Sequence, residues 1–196
     1  MAKASRLGHV LKRLGQILWI VCIAAGVSSY IVAPQLFTAE NIAAFLIRFH
    51  NLIWLIYIAF SILRGLTLLP STPLVIAGTM LFTGQPFTVL AVSIIGILLS
   101  SSMIYFFSEH LGFNEFFEGH KSELTHRIKT KLEHPLGSVF VALWAFFPLV
   151  PTDLVCYVAG TTKMNYGKFI VAIFVGELVL CSFYIFFGGA VLDYVR

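Results

Sequence analysis

The chain has 196 residues, of which 59% are hydrophobic and 11% charged, with a formal net charge of +4. Soluble domains carry about 25% charge and about 45–50% apolar residues, and a chain this short cannot hide the excess inside one globule. A soluble enzyme, a DNA-binding module and a disordered tail are poor fits, so the bilayer is the solvent that remains. The basic balance suits flanks facing anionic headgroups better than a nucleic-acid surface, so lipids are the expected partners and nucleic acid is not.

Lys3, Arg6, Lys12 and Arg13 form a basic N-terminal flank, and no further charge occurs before Glu40. A signal peptide has an apolar region of only about 7–15 residues. A retained span over 17–33, ended by Pro34, is therefore expected. Residues 36–51 contain Glu40, Arg48 and His50 and read as an interfacial connection. A second helix is expected over 52–69, apolar except for Arg64.

Pro70-Ser71-Thr72-Pro73 then interrupts an otherwise uncharged stretch running from Arg64 to Glu109. Proline removes a backbone donor and clashes with the preceding turn. In lipid the freed carbonyls need partners from protein or water, which points to a re-entrant segment over about 65–83. Thr72 followed by Pro73 fits a helix N-cap with proline in the first turn. A turn at Thr83-Gly84-Gln85-Pro86 leads into a crossing over 87–107.

The stretch 112–134 is the one polar region. Phe116, Leu124, Ile128 and Leu132 fall on one helical face among alternating acids and bases, a pattern suited to a helix on the membrane surface or packed on the protein. Beyond it the earlier arrangement recurs. Pro148 and Pro151 repeat the spacing of Pro70 and Pro73, and Leu154 to Thr161 echoes Leu74 to Thr79. A second broken segment is expected over 137–161 and a last span over 169–187.

An internal repeat follows. A re-entrant segment leaves by the face it entered, so the single crossing between the copies makes them inverted, a common construction of transporters. The fold class is thus an all-α polytopic membrane protein, with about four spans plus two opposed re-entrant loops. It divides into residues 1–62, a repeat-bearing unit over 63–189, and a tail over 190–196. Lys/Arg bias favours a cytoplasmic N-terminus and, separately, a cytoplasmic central stretch. Three full spans between them cannot satisfy both, so either the 52–69 helix does not cross fully or one bias is weak.

Arg64, the Pro70–Pro73 motif, and Pro148-x-x-Pro151-x-Asp153 with Tyr157, Ala159, Gly160, Met164 and Phe169 together resemble the DedA superfamily. It is also called the VTT-domain or SNARE-associated Golgi protein family. The likeness covers roughly two-thirds of the chain and is closest to the branch with Pro-Ser-Thr-Pro in its first loop. It implies two opposed re-entrant loops around a lipid-accessible cavity. Bacterial members are associated with recycling undecaprenyl phosphate and eukaryotic members with phospholipid scrambling. Two positions depart from the family's pattern. Gly65, Leu66 and Thr67 stand where a glutamate is typical, and Ala145 stands where many members have arginine.

Ionisable groups at membrane depth are costly and therefore functional candidates. Three qualify: Arg64, Asp153 and Glu177. Arg64 suits bidentate contact with a lipid phosphate, or else snorkelling to a nearby interface or pairing with an internal acid. Asp153 suits a cap on the second broken helix, or titration during transport. Glu177 must face the bundle. With Pro70, Ser71, Thr72, Pro73, Pro148, Pro151, Tyr157 and Gly160 they make up the candidate transport pathway. Cys22, Cys156 and Cys181 read as small buried hydrophobes. The six histidines fall in flanks and loops without ligand spacing, so no metal, cofactor or catalysis is expected. The expected activity is lipid transport or scrambling in the bacterial cytoplasmic membrane. Proton-coupled transport of a small solute or ion and a non-transporting scaffold are the alternatives, and a homo-oligomer is compatible with each.

Overall fold

The structure is a computed structural model and describes residues 2–67, 69–110, 130, 132, 134, 136–148 and 150–195. Among these residues every regular element is helical. The chain runs through α1 (Ala2–Val32), α2 (Ala39–Leu46), α3 (Ile53–Leu63), α4 (Thr72–Leu81) and α5 (Pro86–His110). It continues through α6 (Gly137–Phe146), α7 (Thr152–Thr161) and α8 (Tyr166–Val195). Four stretches are long and apolar enough to cross a bilayer: Arg13–Val32, Ala39–Leu63, Pro86–Ser108 and Tyr166–Gly188. The second is broken at His50, whose φ of 42° leaves the helical region.

That break turns α3 back into the membrane as one leg of a hairpin. Trp54 on α3 stacks on Phe82 at 3.6 Å, and Tyr57 lies against Gly78, so α4 retreats as α3 advances. Against α5 the order is parallel. The Tyr57 hydroxyl meets Ser93 Oγ at 2.8 Å, Ser61 meets Gly96 and Gly65 meets Ser100. Each leg, of 11 and 10 residues, is about 15 Å long, half of the roughly 30 Å hydrocarbon core. The re-entrant segment is therefore larger than the expected 65–83. Residues 52–69 do not form a crossing helix, because their outer part is the hairpin's first leg. The expected interfacial connection over 36–51 is largely helical, and its α2 buries Ala39 and Ala43 against Ala77.

The second half repeats the first. α4 and α7 both have 10 residues, and equal links join them to α5 and α8. Thr72 thus corresponds to Thr152 and Gly96 to Gly176. Gly176 packs against Ala145 as Gly96 packs against Ser61. The two proline pairs share a spacing but not a register. Pro73 lies in the first turn of α4, whereas Pro151 immediately precedes α7.

The two halves are inverted. Phe87, at the start of α5, packs on Phe186 near the end of the α8 span, with ring centroids 5.4 Å apart. Tyr105, near the other end of α5, stacks on Phe169 at 5.0 Å. The equivalent helices α5 and α8 therefore run antiparallel. They also exchange partners, since α7 packs on α5 and α4 packs on α8. α5 presents buried Ser93 and Ser100 toward the first hairpin and buried Ser101 and Ser108 toward α7, while Phe87, Ile95, Leu99 and Phe106 are exposed. Small hydroxyl residues let helices approach closely where no water drives their association.

Trp19 on α1 stacks on Phe107 at the end of α5, 5.0 Å away. The N-terminal end of α1 and the C-terminal end of α5 therefore lie on one membrane face. This removes the conflict in the Lys/Arg bias, because the hairpin between them returns without crossing. Of the polar stretch, Leu132 is buried. The helix expected over 112–134 otherwise lies outside the described residues. The tail expected from 190 continues α8 as far as Val195.

Candidate functional site at the meeting of the two breaks

The site is built from the points where the two hairpins turn. α3 ends at Leu63, and a 3₁₀ turn carries Arg64 to Leu66. The Thr67 hydroxyl closes that turn by donating to the Arg64 carbonyl at 2.8 Å. Thr67 thereby satisfies one carbonyl that the break frees, as a buried backbone acceptor requires. Arg64 Nη1 donates to the Leu69 carbonyl at 3.2 Å, so the guanidinium caps the same break from which it springs.

Across the molecular centre, Arg64 Nη1 lies 3.6 Å from Asp153 Oδ2 in the first turn of α7. Next to it, the Thr152 hydroxyl donates to Glu177 Oε1 at 2.6 Å. The Cys181 thiol approaches Glu177 Oε2 at 3.9 Å. Glu177 is wholly buried and stands midway along the Tyr166–Gly188 span. One cation and two carboxylates thus converge at mid-membrane.

At an effective dielectric near 20, opposite charges about 4 Å apart gain about 4 kcal/mol, while burying each ion costs several kcal/mol. The cluster therefore does not stabilise the fold by itself. Nor is the pair saturated, because Arg64 Nη2 and Asp153 Oδ1 are buried without a hydrogen-bond partner among the described residues. Between the two breaks is a cavity of about 50 Å³. Arg64, Pro70, Ser71 and Thr72 line it from one side, and Pro148, Pro151 and Thr152 from the other. The cavity has room for a few waters.

The expected residues divide around this cavity. Arg64, Pro70, Ser71, Thr72, Pro148 and Pro151 line it. Asp153 and Glu177 join through their contacts with Arg64 and Thr152. Pro73 lies within the first turn of α4 and does not line it. Thr72 is not an N-cap: it is already helical, and Ser71 before it makes no side-chain cap bond. Asp153 is likewise inside its helix, where Pro151 holds the cap position, and its carboxylate turns to Arg64.

Tyr157 faces away, taking a hydrogen bond from the Trp19 indole. Gly160 is a packing residue, pressed against Tyr105 and Ser108 of α5. Thr152 is the member that sequence reasoning missed. Its signal in the sequence is its place between a helix-breaking proline and an acid. Ala145 is buried against Gly176, which leaves no room for an arginine there.

The fold and this site define a polytopic helical membrane protein in which two inverted hairpins meet over a buried, charged cavity. A family model for the VTT domain matches residues 69–190. The chain belongs to that family, the DedA superfamily. No curated protein and no solved structure matches it.

Proposed function

We propose that the protein moves a phosphate-bearing lipid, such as undecaprenyl phosphate or a phospholipid, across the bacterial cytoplasmic membrane, without chemical change to it. The observation that carries this reading is Arg64, which reaches the cavity between the breaks with Nη2 uncommitted. A guanidinium with a free edge suits a phosphate oxygen. The broken helices α4 and α7 both begin at the cavity, and helix N-termini favour anions. Family membership supports the same reading.

The test is transbilayer lipid movement in vesicles reconstituted with the purified chain, followed by headgroup accessibility with and without a pH gradient. Wild-type protein should accelerate movement of the anionic lipid, and Arg64→Gln should abolish that acceleration. No acceleration by folded wild-type protein would sink the proposal and leave a scaffold. A second reading, proton-coupled transport of a small solute, is favoured by the two carboxylates that Arg64 faces alone. Solute uptake that requires a proton gradient and is lost in Asp153→Asn would establish it.

A further inference from the structure

A second cavity, separate from the one between the breaks, opens on the lipid-facing side between α6 and α8. It is a groove of about 800 Å³, within the range that seats a ligand of several hundred daltons. Its walls are almost wholly apolar, from Val139, Leu143 and Phe146 on α6 and Val171, Val175 and Val179 on α8. Its floor is shallow because Gly176 draws α8 onto Ala142 and Ala145. The polar lining residues, Ser138, Asn165 and Lys168, gather at one end, and Lys168, in the first turn of α8, is the charged one. Lys168 is exposed and makes no ion pair among the described residues.

The groove's length and direction identify the occupant. From Lys168 to Val179 is about 16 Å along a helix, the depth of one leaflet of a bilayer about 30 Å thick. Lys168 lies at the outer end of the Tyr166–Gly188 span and Val179 near its middle. At the deep end the groove adjoins the central cavity, because Phe146 and Val179 line one while their neighbours Phe147 and Leu180 line the other. A cation at headgroup level above an apolar channel one leaflet deep matches a single anionic phospholipid in its ordinary orientation. A helix from a second copy would fill the channel but leave the cation without a purpose.

We infer that the α6–α8 groove is a binding seat for one anionic phospholipid, its phosphate on Lys168 and one acyl chain running along Val171, Val175 and Val179 to the edge of the central cavity. A Lys near an anionic group at the membrane surface is worth about a fivefold change in binding. The seat exists whether or not the lipid is later moved.

The experiment places the full chain in vesicles carrying either phosphatidylglycerol or phosphatidylcholine with a photoreactive group on the acyl chain, followed by peptide mapping. The phosphatidylglycerol probe should label α6 and the first half of α8 in preference to the exposed faces of α1 and α5. Lys168→Gln should reduce that label about fivefold and reduce the labelling by net-neutral phosphatidylcholine much less. Val175→Trp, at an exposed position, should fill the channel and remove both. Labelling spread evenly over the lipid-facing helices, or an unchanged headgroup preference in Lys168→Gln, would overturn the seat. So would loss of the label on dilution of the protein, which would point to a second copy. Lipid movement is measured in the same vesicles. Site-specific labelling without movement leaves the seat standing and removes only the transport reading.

Discussion

Arg64 and Asp153 come from opposite repeats and meet at the centre of the membrane, each with a second polar atom idle. Removing one member of a buried pair strands the other charge and costs about 3–5 kcal/mol, whereas replacing both with apolar residues is often near neutral. Arg64→Met and Asp153→Leu should therefore each lower the thermal stability of the purified protein strongly, and the double variant should recover much of the loss. A thermodynamic cycle from melting temperatures checks this, and strictly additive effects would show that the pair is not coupled. A stable double variant that no longer moves lipid would locate the pair's purpose in function. That Arg64 could pair with an internal acid was legible in the sequence, but which acid was not, since nothing local links two residues in different repeats. Charge scarcity singled out both, yet only the hairpin geometry joins them.

At the scale of elements, the prolines made both breaks legible, because no other residue removes a helical donor so plainly. The first leg was not legible. Residues 52–69 are apolar except for Arg64 and the hydroxyl residues Ser61 and Thr67, and periodicity does not separate a buried half-length leg from a crossing helix. The decisive feature is the turn at His50, a backbone conformation with φ of 42° that no turn residue announces. Gly160 shows the converse, a residue chosen for chemistry that serves packing. A Cβ there meets the Tyr105 carbonyl and the Ser108 hydroxyl, whereas one at Gly188 meets nothing within 4 Å. Alanine is a better helix former than glycine by up to about 1 kcal/mol. Overpacking costs about 1–3 kcal/mol, so space decides the sign. Gly160→Ala should lower the melting temperature by separating α7 from α5. Gly188→Ala should leave it level or raise it. Equal effects would show that α7 does not rest on α5 at Gly160.

For the whole molecule, the inversion is the feature that the proposed transport would use. Each hairpin opens toward one face and its tip reaches the other's tip, so a cargo at Arg64 is equally deep from both sides. The antiparallel contacts Phe87–Phe186 and Tyr105–Phe169 place the start of α5 and the start of α8 on opposite faces. Lys/Arg bias puts the basic N-terminal flank in the cytoplasm, and Trp19 on Phe107 puts the end of α5 on that face with it. Tyr166 lies beside Tyr105 with ring centroids 5.4 Å apart, so Asn165 should be cytoplasmic and Gln85, ahead of α5, should be outside. Both are exposed. In a Cys22→Ser background, where Cys156 and Cys181 remain buried, a membrane-impermeant maleimide should label Gln85→Cys in intact cells. Asn165→Cys should react only after permeabilisation. The opposite pattern would preserve the inversion and reverse the orientation. Labelling of both from one face would remove the inversion, and with it the equal access that makes a cavity at mid-membrane useful for moving a lipid.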